Sequence, residues 1–130
     1  MTEEYKYELS VIGPCYNEEG NIKAFIERVQ NVFDKNEING EIILINDASS
    51  DSTSSIINHE ASERSNIKVF HNGENKGISE CWKIGSEYSS GENICIIDTD
   101  LQYLPEEIAK LYQEFQKRNH QVVQGFRSTI

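Results

Sequence analysis

The sequence predicts an α/β domain, a mostly parallel sheet with helices on both faces. Three observations lead there. Short apolar, β-branched runs recur at Leu9, Val11 and Ile12, at Ile42 to Ile45, at Ile67, Val69 and Phe70, and at Ile94 to Ile97; each has the length and residue type of a buried strand. Between them lie segments whose apolar residues return every three or four positions, as they do along one face of a helix. The connections are short, and a strand and helix alternation of this kind closes as a parallel sheet covered by helices.

Taken in order, the first strand runs from Tyr7 and breaks at Gly13-Pro14. Ile22, Phe25, Ile26, Val29, Val32 and Phe33 then mark an amphipathic helix, and Asn39-Gly40 ends the connection. Ile42-Ile43-Leu44-Ile45 forms the second strand and stops at Asn46-Asp47, after which Asp51 is placed to cap a helix from about Ser52 to Arg64. A short third strand leads into the loop from His71 to Gly77. Ile78, Cys81, Trp82 and Gly85 then mark one face of a third helix, with Trp82 expected in the core. The unbroken run Ile94-Cys95-Ile96-Ile97 predicts a fourth strand buried on both faces. Pro105 suits the first residue of a helix, Glu106 and Glu107 favour its positive end, and Ile108, Leu111, Tyr112 and Phe115 form its buried side. Val122 and Val123 predict a fifth strand.

With 130 residues the chain suffices for one domain spanning 1–130. It carries 22 acidic against 12 basic side chains, a formal charge of -10. That field repels phosphate backbones and anionic lipid alike, which argues against a general nucleic-acid binder. Cys15, Cys81 and Cys95 are odd in number and form no C-x-x-C pair, so neither a disulfide framework nor a zinc site is indicated and a reducing cytoplasm is expected. No apolar run reaches the roughly 20 residues that span a bilayer, and the N-terminus lacks a signal-peptide pattern, so a soluble chain is expected.

The polar residues that look out of place fall at the C-terminal ends of strands, where open α/β sheets bind ligands. No G-x-G-x-x-G follows the first strand and no G-K-[ST] occurs, so neither a dinucleotide cradle nor a P-loop is present. Asp98-Thr99-Asp100 offers another route to phosphate. Two like charges about 4 Å apart repel by roughly 4 kcal/mol at an effective dielectric near 20, so such a site takes a diphosphate only with a cation between. A hard divalent ion accepts carboxylate oxygens on one side and phosphate oxygens on the other. The plainer alternative is a turn that helps to cap the helix at Pro105.

Four blocks together resemble the family 2 glycosyltransferases of the GT-A fold, and most closely the polyprenyl- or dolichol-phosphate sugar transferases. They are Leu9-Ser10-Val11-Ile12-Gly13-Pro14-Cys15-Tyr16-Asn17-Glu18-Glu19, Asn46-Asp47-Ala48-Ser49-Ser50-Asp51-Ser52-Thr53, Asn75-Lys76-Gly77 and Asp98-Thr99-Asp100-Leu101-Gln102. The resemblance covers essentially the whole chain in order and implies a Rossmann-like nucleotide-diphospho-sugar transferase half. It implies an inverting transfer from a nucleoside-diphosphate sugar with Mg2+ or Mn2+, to a polyprenyl-phosphate or glycan acceptor, in a cytoplasmic protein that a longer form would hold at the membrane surface.

The implied nucleotide-binding residues are Pro14, Tyr16, Asn17, Glu18, Asp47, Lys76 and Gly77, with Asp47 reading a base N–H. Asp98 and Asp100 would hold the metal. Gln102 and Arg127 would lie near the donor sugar or acceptor phosphate, although Arg127 is equally read as a free surface residue. Gly13 stands where the family usually has a bulkier residue, Cys15 where small or β-branched residues are common, and Asn46 replaces the first Asp of a common Asp-Asp pair. Family members continue into an acceptor-binding half that carries the general base, so that base is expected beyond Ile130 and no catalytic residue is named.

Two other classes remain in view. One is a noncatalytic nucleotide-sugar-binding module or subunit on the same fold. The other, a receiver-like signalling domain, needs paired acids after the first strand, whereas the acids here follow the second and fourth. His59 and His120 read as surface and loop residues; His71 ends the third strand at the site's edge without a partner at metal-ligand spacing.

Overall fold

The computed structural model describes residues 5–117. The predicted fifth strand at Val122 and Val123, together with His120 and Arg127, lies outside them. Strands β1 (Tyr7–Cys15), β2 (Gly40–Asn46), β3 (Ile67–His71) and β4 (Gly91–Ile96) alternate with helices α1 (Ile22–Lys35), α2 (Thr53–Glu63), α3 (Ile78–Glu87) and α4 (Glu107–Lys117). The strands form one sheet in the order β3-β2-β1-β4, and every pair is parallel.

Strand alternation sorts the core into two layers. Leu9, Val11, Ile42 and Leu44 point toward α1, α2 and α4, packing on Phe25, Ile26, Val29, Ile57 and Ile108. Ile12, Ile43 and Ile45 point the other way, onto Cys81 of α3. The register fixes which face each β4 residue takes: Cys95 lies beside Val11 and joins the first layer, while Ile94 and Ile96 lie beside Ser10 and Ile12 on the α3 side. There α3 does not reach them, and they are 46% and 41% exposed. The expectation of a strand buried on both faces is therefore corrected, because β4 is an edge of the described sheet. Trp82, 41% exposed, and Ile78 are corrected likewise: α3 turns Cys81 and Gly85 inward and leaves both outside.

The first strand also continues through Gly13-Pro14 instead of breaking there. Pro14 is paired with Ile45 on the β2 side, while its missing N–H faces the β4 side beyond the last ladder bond, Ile97 N–H to the Ile12 carbonyl. A proline removes no ladder bond at such a place. Helix α4 begins at Glu107, after a turn in which Ile108 N–H bonds the Pro105 carbonyl, and Glu106 is drawn aside into a two-point pair with the guanidinium of Arg28 on α1.

At the opposite end of the sheet the buried Glu41 ties the four strands together. Its Oε2 accepts Ser10 Oγ–H at 2.6 Å and Ser90 N–H at 2.5 Å, and Lys68 Nζ lies 3.2 Å from Oε1. Ser10 Oγ in turn accepts Gly91 N–H from the start of β4. Oε1 has no hydrogen bond of its own, and the ammonium beside it supplies the compensating charge that a buried carboxylate requires.

Helix α3 sits close to the sheet because Gly85 has no side chain; a Cβ there would lie 2.4 Å from Ile12 Cγ2. Gly85→Ala is expected to cost about 1–3 kcal/mol, read as a lower urea midpoint at unchanged slope. Gly20→Ala, where a Cβ meets nothing within 4 Å, should stay within about 0.5 kcal/mol.

Candidate nucleotide site at the strand ends

After β1 the chain moves outward to β2 and β3 and then returns to β4 on the other side of β1. That reversal opens a crevice at the C-terminal ends of β1 and β4, where open α/β sheets hold their ligands. A cleft of about 440 Å³ lies there, walled by Pro14 and Tyr16 after β1, Asp47 after β2, Gly77 and Cys81 at α3, and Asp98 and Asp100 after β4.

Asp47 is the most heavily bonded of these. Its Oδ1 accepts Lys76 N–H at 2.8 Å and Asn72 Nδ2–H at 2.9 Å, and its Oδ2 accepts Gly77 N–H at 3.1 Å. Its own carbonyl accepts Asn75 Nδ2–H, and its N–H bonds the Cys15 carbonyl. Burial pushes the carboxyl pKa up, but the donors from Lys76, Asn72 and Gly77 outweigh it and hold the group below the usual carboxylate range. Together with the Cys81 thiol, which also bonds this carboxylate, the three N–H donors engage its four acceptor sites.

The loops after β1 and β2 are braced against each other. Asn17 N–H bonds Ser49 Oγ, Ser50 N–H bonds Asn17 Oδ1 at 2.8 Å, Glu18 N–H bonds Thr53 Oγ1, and Ser52 N–H bonds Glu19 Oε2. Asp51 Oδ1 accepts both Thr53 N–H and Thr53 Oγ–H, so it meets the first N–H of α2 from one residue before the N-cap, Ser52, which makes no side-chain cap bond. Asn17, Ala48 and Leu101 all carry positive φ, at 51°, 61° and 65°. Three of the four non-glycine residues of that kind among the described residues thus sit at strand exits around the cleft, where backbone strain tends to gather at working sites.

Asp98 and Asp100 differ from Asp47. Asp100 Oδ1 accepts Gln102 N–H at 3.0 Å, whereas Asp98 has no hydrogen bond among the described residues. Burial, and then the charge of Asp100, push the Asp98 pKa up. Between them Thr99 is buried and donates Oγ–H to the Pro14 carbonyl at 3.1 Å. A Cβ on Gly13 would lie 2.8 Å from Thr99 Cγ2, which explains why glycine stands there: it lets the Asp98-Thr99-Asp100 turn seat against β1.

The fold brings Pro14, Tyr16, Glu18, Asp47, Gly77, Asp98 and Asp100 to the same cleft. Asn17 and Lys76 do not line it; Asn17 braces the second loop and Lys76 contributes its backbone N–H to Asp47. The Gln102 side chain is exposed beside the acid pair, and Arg127 is outside the described residues. Cys81, Ile78 and Thr99 line the cleft without any sequence signal, because they reach it only through packing of α3 and β4 on β1. Burial raises the thiols of Cys15 to about 12 and Cys81 to about 11, so both are uncharged walls at neutral pH.

A parallel sheet with an acid-lined cleft at its reversal point is the architecture of an open α/β ligand-binding domain. The chain belongs to glycosyl transferase family 2, whose model matches residues 10–130. It is 35% identical over 106 residues to an undecaprenyl-phosphate 4-deoxy-4-formamido-L-arabinose transferase of Aeromonas hydrophila, covering 81% of this chain and 32% of that protein. It is 34% identical over 105 residues to a dolichol-phosphate mannosyltransferase of Pyrococcus furiosus, covering 81% and 29%. The chain thus spans about a third of the length of the curated relatives it matches. Among solved structures, S. aureus TarS in complex with UDP-GlcNAc superposes with a TM-score of 0.67 at 26% identity, covering 85% of this chain and 31% of that one. The mannosyltransferase PcManGT of Pyrobaculum calidifontis, solved with GDP-Man and Mn2+, reaches 0.70 at 22% identity, covers 85% and 33%, and attests the shared fold.

Asp47→Asn should loosen the loop of residues 72–77, since an amide cannot accept from all three donors. The expected loss is about 1–3 kcal/mol, with faster hydrogen exchange at Lys76 and Gly77. Because the folded pKa of Asp47 is depressed, its contribution is complete above the unfolded carboxylate range near 3.9 and disappears as pH falls through the folded value. Urea melts of the two proteins should therefore converge on acidification.

Proposed function

We propose that this chain is the donor-binding half of an inverting glycosyltransferase that uses a nucleoside-diphosphate sugar with Mg2+ or Mn2+ and transfers a hexose-type sugar to a polyprenyl-phosphate or glycan acceptor. The observation that carries the reading is the pairing, across one cleft, of Asp47, held by donors of its own chain, with an exposed Asp98 beside Asp100 that no donor among the described residues engages. The acid pair fits a hard cation: two oxygen-donor side chains lie together, one of them without a partner. No cluster of three or more His, Cys, Asp or Glu exists among the described residues, which suits an ion whose remaining ligands are diphosphate oxygens and water.

When bound, the ion supplies charge neutralisation to the departing diphosphate. The chain's own residues do the holding. Tyr16, half exposed at the cleft wall, offers a ring face for the base, and the Glu18 loop closes beside it. Asp47 keeps the backbone of residues 72–77 in place at the cleft wall, and a base N–H is assigned to it. Gln102, with Arg127, is assigned to the donor sugar or acceptor phosphate. The UDP-GlcNAc complex of TarS supports the donor class, and the polyprenyl-phosphate relatives support the acceptor. This reading places the protein in the cytoplasm, at the membrane surface when the acceptor is a lipid phosphate; no helix of the described residues is long and apolar enough to cross a membrane.

Calorimetric titration with UDP and with GDP tests the reading. Affinity for at least one of them is expected to rise about tenfold or more when Mn2+ replaces EDTA, which corresponds to about 1.4 kcal/mol. Asp98→Asn combined with Asp100→Asn should erase that gain while leaving the urea midpoint in place. Binding that ignores both the metal and the double substitution would sink the proposal.

A further inference from the structure

Behind the cleft wall, Asn46 and His71 form a polar pair whose hydrogen-bond pattern admits a single protonation state. Ser49 N–H points at the Asn46 side-chain oxygen, 3.1 Å away. A backbone N–H is always a donor, so it fixes the orientation of the amide: Oδ1 toward Ser49, Nδ2 toward Ser54 Oγ at 2.6 Å and His71 Nδ1 at 3.0 Å. His71 Nδ1 must then be an acceptor, and the ring proton belongs on Nε2, which lies 2.8 Å from Asn58 Oδ1 on α2. The neutral Nε2–H imidazole satisfies every group in this chain of contacts.

A second proton on the ring would set Nδ1–H against the Asn46 NH2. If the amide turned over to offer its oxygen, its NH2 would face Ser49 N–H instead. In either arrangement one donor at the contact between the buried Asn46 and the exposed His71 ring loses its partner in the chain. Ser49 is also the residue whose Oγ accepts Asn17 N–H, and the neighbouring Ser50 N–H bonds Asn17 Oδ1, so the loop held by Asn46 is the one that braces the loop after β1.

We propose that Asn46 and His71 are a proton-linked positioning pair: with His71 neutral they hold the loop of residues 46–51, and through it the Tyr16 to Glu18 wall, and with His71 protonated that hold is released. This rests on the reading of the cleft as the nucleotide site. The elements packed on β3 are β2 and α2. They present Asn46 and Asn58 to the ring; of their charged groups, Asp47 is turned to Asn72, Lys76 and Gly77, Glu41 pairs with Lys68 toward the other end of the strands, Glu60 pairs with Arg64, and His59 and Glu63 are exposed. None of the described ion pairs includes His71. Neighbouring charge therefore does not duplicate the effect of the ring proton.

The pair also predicts what an aspartate at position 46 would do. Its carboxylate accepts from Ser49 N–H, from Ser54 Oγ–H and from a protonated Nδ1–H together, so the doubly protonated ring becomes the satisfied state and the pH sense reverses.

The test uses the 130-residue chain over about pH 5 to 8. Nitrogen-15 spectra follow the His71 ring, the amides of Asn17, Ser49 and Ser50 report the loops, and calorimetry with Mn2+ plus UDP or GDP reports the cleft. In the wild-type chain the loop amides should shift with the same midpoint as the ring, and nucleotide affinity should fall about tenfold on the acid side, the scale of one lost half-buried hydrogen bond. In Asn46→Asp the loss should move to the alkaline side; in His71→Gln the step should vanish. Loop amides that ignore the ring's titration, or an Asn46→Asp chain that keeps the wild-type sense, overturn the pair. Amides that follow the ring in a chain that binds neither nucleotide support the pair and remove the nucleotide reading instead.

Discussion

The carboxylate of Asp47 joins three stretches of backbone that the sequence keeps far apart. Its N–H holds the end of β2 to the end of β1, and its oxygens collect Asn72, Lys76 and Gly77 from the loop that starts α3. Without an acceptor at this point, the N–H groups at the start of α3 would turn to water, and the cleft would lose its back wall. Much of the site's geometry follows from this one side chain, including where Cys81 and Ile78 meet the cavity.

Carboxylates of one residue type carry opposite tasks around the cleft. Asp47 is neutralised by donors from its own chain, which favours the charged form and makes it structural. Asp98 is exposed, and partial burial and the like charge of Asp100 raise its pKa with no donor of the described chain to oppose them. The acidic balance of the whole chain sharpens the contrast, since a formal charge of -10 repels a diphosphate unless positive charge meets it locally. Around them, positive φ at Asn17, Ala48 and Leu101 concentrates backbone strain in the three strand-exit loops beside the cleft.

Much of this was legible in residue order. The helical face of α1 is found as its spacing predicts, as are the buried runs of β1 and β2, and the acid pair does follow β4; on α4 the predicted Ile108 and Tyr112 are buried, while Leu111 and Phe115 are only half-buried and Ala109 takes a core place. Errors came where burial depends on neighbours and not on local pattern. Ile94, Ile96, Ile78 and Trp82 read as core because apolar residues usually are; the edge position of β4 and the rotation of α3 put them outside. Gly13-Pro14 read as a strand break because both residues usually end strands, yet the ladder to β4 stops early enough that Pro14 leaves no N–H bond unmade. His71 had no metal-ligand spacing to recommend it, and its partners on β2 and α2 emerge only in three dimensions.

Residue order alone carried the local elements, the strand-exit position of the polar residues and the family resemblance, because hydrophobic period and short motifs are properties of neighbouring residues. Tertiary structure decided the strand order β3-β2-β1-β4, hence the reversal that makes a crevice, and it decided which carboxylate finds donors and which does not. Asp47 meets Lys76 across 29 residues and Thr99 meets Pro14 across 85. Contacts at such separations are set by how the sheet twists and how its helices pack, and no local pattern encodes them.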